Sequence, residues 1–397
     1  MKIRYTNSSM LLLLLFLMTI NIPYLSQSSN NLIRLLIEII ITFLLIRESD
    51  INRIMVNTMF IAAFAGWMTL STFLVMHFTT RTLTAFVTGY AYILLFAVCW
   101  HITTKKGHEY LYLKLFQFLK YVLILMDIVV LGTLGKGIGG TAVLGLFLLG
   151  NKFVVSYYHM MFLALYLMIY QKMDKIFCLL LAESMLVCIV AKCMTGVVGI
   201  ITLVLVYVIS MNKGMGKLIL TSPFFYVFFM FTVSFLIAGS DFLLKNSQFQ
   251  TIIEQYFHKD MTLTGRLIMY ELSILAIKKR PYLGWGINCT TVEDKLGWGN
   301  AQNGLLKMTL DFGYIGIFLF VFTLIIVFWR LRKVSENTGM VAFLYGMAVC
   351  SMVEINLSYV YFLGLAIVYS EKNKTEQTLL SEKESLTDKE KMLLSAT

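Results

Sequence analysis

Apolar residues fall in blocks of membrane-spanning length, separated by short polar connections, along nearly the whole chain. The blocks run at 10–25, 32–46, 54–78, 85–102, 116–134, 153–170, 176–191, 196–211, 218–239 and 310–329. A last block, 339–369, is interrupted by Glu354 and Asn356 and is long enough for two short helices joined by a tight turn. About 20 apolar residues cross a bilayer as a helix, so the pattern predicts about twelve spans. The blocks are apolar on every face rather than alternating, which excludes a closed β-barrel and predicts an all-α polytopic fold. No small-x-small site follows block 10–25, and Asn21, Pro23 and Tyr24 fit a leader peptide poorly, so it reads as a retained first span.

One interval breaks the pattern. Residues 240–304 form the longest stretch without a membrane-length apolar run. The chain therefore divides into a bundle of about nine spans over 1–239, a polar loop with short helices over 240–304, further spans over 305–370 and a charged tail over 371–397. The glycine-rich stretch 135–150 has an apolar part too short to span; it is either re-entrant or a flexible end of the fifth span.

Composition agrees. Hydrophobic residues are 58% of the 397 and charged residues 14%, against about 25% charged in soluble domains. The mean hydropathy is +0.78. The net charge of +11 does not imply nucleic acid, because the basic residues sit mostly in short loops of one set. These hold Lys2 and Arg4; Arg47 and Arg53; Lys105, Lys106 and Lys114; Lys172 and Lys175; Lys213 and Lys217; and Arg330, Arg332 and Lys333. The alternate connections carry only Arg81, Lys136, Lys152 and Lys192. That bias predicts a multi-pass protein of the cytoplasmic membrane, with both termini in the cytoplasm and the large loop outside. Only Cys289 of the six cysteines lies clearly outside an apolar block, so neither a disulfide framework nor a zinc site is expected.

The cations expected at the outer surface are the candidate chemistry. Lys152 precedes Tyr157, Tyr158 and His159 in the sixth span, and Lys192 sits in the turn after the seventh. Arg266 follows Thr264 and Gly265 at the start of a helix-like stretch, where the helix dipole also favours an anion. Lys279 and Arg280 follow one helix later. Converging cations suit a lipid diphosphate. Blander roles stand beside each: a polar turn for Lys192, a packing histidine for His159, and headgroup contacts for Lys279 and Arg280. Glu354, at the outer turn of the last hairpin, either pairs with a cation or caps a helix. No Asp-x-Asp pair, phosphate loop, HExxH or GxSxG occurs, so no metal site or cofactor is expected.

Thr264-Gly265-Arg266, then Pro281-x-x-Gly284-x-Gly286, Gln302-Asn303 and Gly313-x-x-Gly316 resemble, in order and spacing, the O-antigen polymerase and ligase family. The likeness is greatest to capsular or exopolysaccharide repeat-unit polymerases. It implies a glycosyltransferase acting on undecaprenyl-diphosphate-linked oligosaccharide within membrane lipid, metal-independent, alongside chain-length regulator and flippase proteins. It also implies Arg266, Lys152, Lys192 and His159 as catalytic candidates. Thr264, Gly265, Lys279, Arg280, Gly284, Gly286, Gln302 and Asn303 would bind substrate. A base would come from His159, His258, Glu254 or Asp294, or none is needed. Ligases carry a histidine where this chain has Gln302, which cannot act as a base, and an arginine where it has Lys192; both departures favour the polymerase. A ligase and a lipid-linked oligosaccharide flippase are the alternatives. A transporter would favour charges near the midplane and inverted repeats, and the chain shows no internal repeat.

Overall fold

The computed structural model describes residues 7–20, 22–140, 145–211, 215–238, 262–296, 301–334 and 338–371. These residues are almost wholly helical. The first ten helices are α1 (Asn7–Thr19), α2 (Gln27–Glu48), α3 (Ile51–Met76), α4 (Thr80–Lys106), α5 (His108–Gly132), α6 (Lys152–Tyr170), α7 (Lys175–Val190), α8 (Met194–Met211), α9 (Met215–Leu220) and α10 (Pro223–Ala238). Then come α11 (Thr262–Lys279), a single turn at Glu293–Leu296, α12 (Gly304–Val334), α13 (Gly339–Cys350) and α14 (Tyr359–Ser370).

Seven of these helices, α2 to α6, α8 and α12, are long and apolar enough to cross a membrane; α1, α10, α13 and α14 are apolar but shorter. The chain is a multi-pass membrane protein. Side-chain caps start several helices where the blocks begin. Asp50 accepts from the Asn52 and Arg53 amides, Asn151 from those of Phe153 and Val154, and Asp174 from that of Phe177. The block 218–239 is not one helix, because Pro223 opens α10 after a break at Thr221 and Ser222. The block 339–369 forms α13 and α14, joined by the turn 351–358.

The core gathers around α4, α6, α13 and α14, which are buried along most of their length. Outer faces of α2 and α3 expose Leu36, Phe43, Met55 and Met59, as a lipid-facing surface should. Part of the stretch 135–150 is paired as short strands. Three short antiparallel strands, β1 (Gly139–Gly140), β2 (Gly145–Phe147) and β3 (Gly150–Asn151), lie between α5 and α6. Backbone pairing within this ladder satisfies amides that no helix could take up.

Candidate functional site

The Pro-x-x-Gly-x-Gly stretch docks on a break in α12. Gly313 has non-helical angles (φ 68°) inside that helix, which frees backbone groups on both sides of it. The amides of Trp285 and Gly286 donate to the carbonyls of Leu310 (2.9 Å) and Asp311 (2.8 Å), and the Tyr314 amide donates to the Pro281 carbonyl (2.7 Å). The Trp67 indole donates to the Phe312 carbonyl at 2.9 Å. Gly284 and Gly286 both have positive φ. A Cβ on Gly284 would strike the Asp311 carbonyl, and one on Gly313 the Tyr282 carbonyl. These glycines serve backbone approach.

The docked loop continues into Ile287 and Asn288, which reach a cavity of about 640 Å3. That volume is in the range of small-ligand sites. Its walls also include Thr19 of α1, Arg34 of α2, Thr84, Thr88 and Tyr92 of α4, Lys152 and Tyr157 of α6, Gln302, Glu354 and Ile355, and Leu357 to Val360 around the start of α14. Apart from Tyr92, midway along α4, these come from one end of the bundle: the C-end of α1, the N-terminal halves of α2, α4, α6 and α14, and the loops beside them. The basic loops 47–53, 105–114, 172–175 and 330–333 belong to the opposite helix ends.

Arg34 is the cation the apolar pattern concealed. It is 4% exposed, its Nε donates to the Met18 carbonyl at 3.1 Å, and its guanidinium lies 4.2 Å from the Tyr359 ring centre. Tyr359 is in turn held by Thr88 at 3.0 Å. Glu38, one turn on along α2, is fully buried, and neither carboxylate oxygen has a hydrogen-bond partner among the described residues. The sequence signal was available: Arg34 and Glu38 are the two charges inside block 32–46, four apart on one helix face. The Tyr157 hydroxyl is likewise buried without a partner among the described residues.

The expected site residues are divided by this geometry. Lys152 and Gln302 line the cavity. Asn303 stands just behind it, fully buried, its amide donating to the Ser234 and Met352 carbonyls and its oxygen capping α12 at the Leu306 amide. His159 does not reach it. Its ring nitrogens bond Asp127 (3.0 Å) and Ser184 (3.1 Å), beside a separate cavity of about 190 Å3 between α5, α6 and α7. Lys192 and Lys279 are exposed outside the cavity. Arg280, also exposed, lies 4.5 Å from the Trp285 ring centre. Asp294 is exposed and accepts from the Thr290 hydroxyl. Thr264, Gly265 and Arg266 fall in the first turns of α11, but their side chains lie outside the described residues, as do Glu254 and His258 altogether.

Residues 176–321 match a family model described as O-antigen ligase. The likeness to that family extends over this segment, less than half of the chain. No curated protein and no solved structure matched the chain. The O-antigen ligase match runs from α7 to beyond the break in α12, so it contains the docked loop, Gln302 and Asn303. Arg34, Lys152, Tyr157 and Glu354 lie outside it, on helices α2 and α6 and the turn 351–358, which complete the cavity from both sides of the matched segment in sequence.

Proposed function

We propose that the chain is a glycosyltransferase of the polymerase kind. It would join oligosaccharide repeat units carried on undecaprenyl diphosphate into capsule, exopolysaccharide or O-antigen chains, at the outer face of the cytoplasmic membrane. The observation that carries this reading is the pairing of Arg34 and Lys152 in one polar cavity of an otherwise apolar bundle, beside the family loop. A buried arginine and a half-buried lysine in one cavity suit a diphosphate, whose oxygens take charge-assisted bonds.

In the reaction a sugar hydroxyl attacks the anomeric carbon of the donor, and the lipid diphosphate leaves. The protein must align the two partners and stabilise charge growing on the departing oxygen. Arg34 suits that task because Met18 and Tyr359 fix its guanidinium before substrate arrives. Lys152, the first residue of α6, adds a point charge at the positive end of a helix dipole. The α11 start would bring Arg266 as a third cation, with Thr264 and Gly265 beside it. Lys279 and Arg280 would sit among lipid headgroups. Chain-length regulator and flippase proteins would be its partners. Gln302 lines the cavity where the related ligases carry a histidine; lacking a base there favours the polymerase over the ligase.

The experiment is complementation of a strain that lacks the gene. Arg34→Ala and Arg34→Lys should both accumulate as folded protein, stop long polymer and leave single lipid-linked repeat units. Loss of a preorganised charge contact costs about 10²–10³-fold in rate, and lysine lacks the planar fork that stacks on Tyr359. Polymer of normal length from Arg34→Ala would overturn the reading.

A further inference from the structure

We propose that Glu354 is the general base of the cavity, taking the proton from the attacking sugar hydroxyl and so marking where the acceptor sits. The inference rests on the glycosyl-transfer reading above. Among the described residues lining the cavity there is neither aspartate nor histidine, and Glu354 is the one carboxylate. The other candidates are elsewhere: His159 is engaged at both ring nitrogens beside a different cavity, and Asp294 is exposed outside it.

The turn that carries Glu354 is held from several directions. Its own amide donates to the Cys350 carbonyl at 3.1 Å, and the Gly304 amide donates to the Ser351 carbonyl at 2.8 Å. The Met352 carbonyl accepts from the Asn303 amide (3.2 Å) and from the Tyr270 hydroxyl (3.0 Å). Asn356 donates to the Met347 carbonyl at 2.6 Å. The Gln302-Asn303 pair therefore supplies no base of its own; Asn303 positions the segment that carries one. A catalytic carboxylate needs such a fixed placement, since a small displacement forfeits much of its advantage. The buried Tyr157 hydroxyl, with no partner among the described residues, lines the same cavity and offers a hydrogen bond to a bound sugar.

The step balances within these groups. The acceptor oxygen forms the new bond to the anomeric carbon as its proton passes to the Glu354 carboxylate. The bond from that carbon to the diphosphate oxygen breaks, and its electron pair leaves with the diphosphate toward Arg34 and Lys152. Glu354 then releases the proton to water.

Glu354→Gln keeps the shape of the side chain and removes its basicity. The test measures two things on the full-length chain: polymer formed in complemented cells, and binding of undecaprenyl diphosphate to the purified protein. Expected for Glu354→Gln is a fall in polymer formation on the order of 10²–10⁴-fold, with diphosphate binding and melting temperature unchanged. Glu354→Asp, which keeps a shortened carboxylate, should retain part of the activity and guards against a folding defect. Normal polymer from Glu354→Gln overturns the base role, as does loss of diphosphate binding by either variant. Failure of the wild-type chain to bind undecaprenyl diphosphate sinks the proposed function itself, whereas wild-type binding beside an active Glu354→Gln sinks the base alone.

Discussion

Gly284 and Gly66 are the same residue under opposite constraints. Gly284 sits at φ +72° with the Asp311 carbonyl where a Cβ would be, and Gly66 sits in α3 with nothing within 4 Å. An L-residue in the left-handed region costs about 1–2 kcal/mol before any clash is counted, while alanine in a helix gains up to about 1 kcal/mol over glycine. Gly284→Ala should therefore lower the melting temperature of the purified protein, and Gly66→Ala should leave it level or raise it. Equal melting of the two variants would mean that the loop is not docked on α12. The order of the Gly-x-Gly motif was legible in the sequence, but its partner was not, because the contact joins backbone atoms across a break in another helix. Arg34 and Glu38 were hidden differently. A hydropathy block reports its average, and two charges spaced by one helix turn vanish into it although they face the interior together.

The docking of loop to helix is also held by one ion pair. Lys307 meets Asp311 at 2.7 Å, with side chains 13% and 7% exposed. The pair ties down the loop as well, since Lys307 donates to the Cys289 carbonyl and Asp311 accepts from the Cys289 amide. Removing one member of a buried pair strands the other and typically costs about 3–5 kcal/mol, whereas replacing both with apolar groups is often near neutral. Lys307→Met should melt well below the wild type, and the double variant Lys307→Met with Asp311→Leu should recover much of the loss. Strictly additive losses would show the two residues to be independent. At this scale the apolar blocks located most helices, because spanning length is read directly from run length. They missed the break at Gly313, the end of α9 and the strands after α5. Those features depend on what a freed backbone group finds to bond, and hydropathy carries no record of that.

Across the molecule, charge and cavity are sorted to opposite ends. The cavity gathers the C-end of α1, the N-ends of α2, α4 and α6 and the turn 351–358, while the lysine- and arginine-rich loops lie at the other helix ends. Basic loops stay in the cytoplasm as a chain inserts, so this sorting predicts that the cavity opens to the outside, where lipid-linked repeat units would be met. A reporter that is active only outside the cytoplasm should be active when fused after Lys259, and silent after Lys175 or Lys333. Lys259 lies between α10 and α11 in sequence, outside the described residues; Lys175 opens α7 and Lys333 lies in the last turn of α12, both on the basic side. Activity at Lys333 together with silence at Lys259 would invert the protein. Arg34, Lys152 and Glu354 would then face the cytoplasm, and a polymerase acting on the outer face could not be built from them.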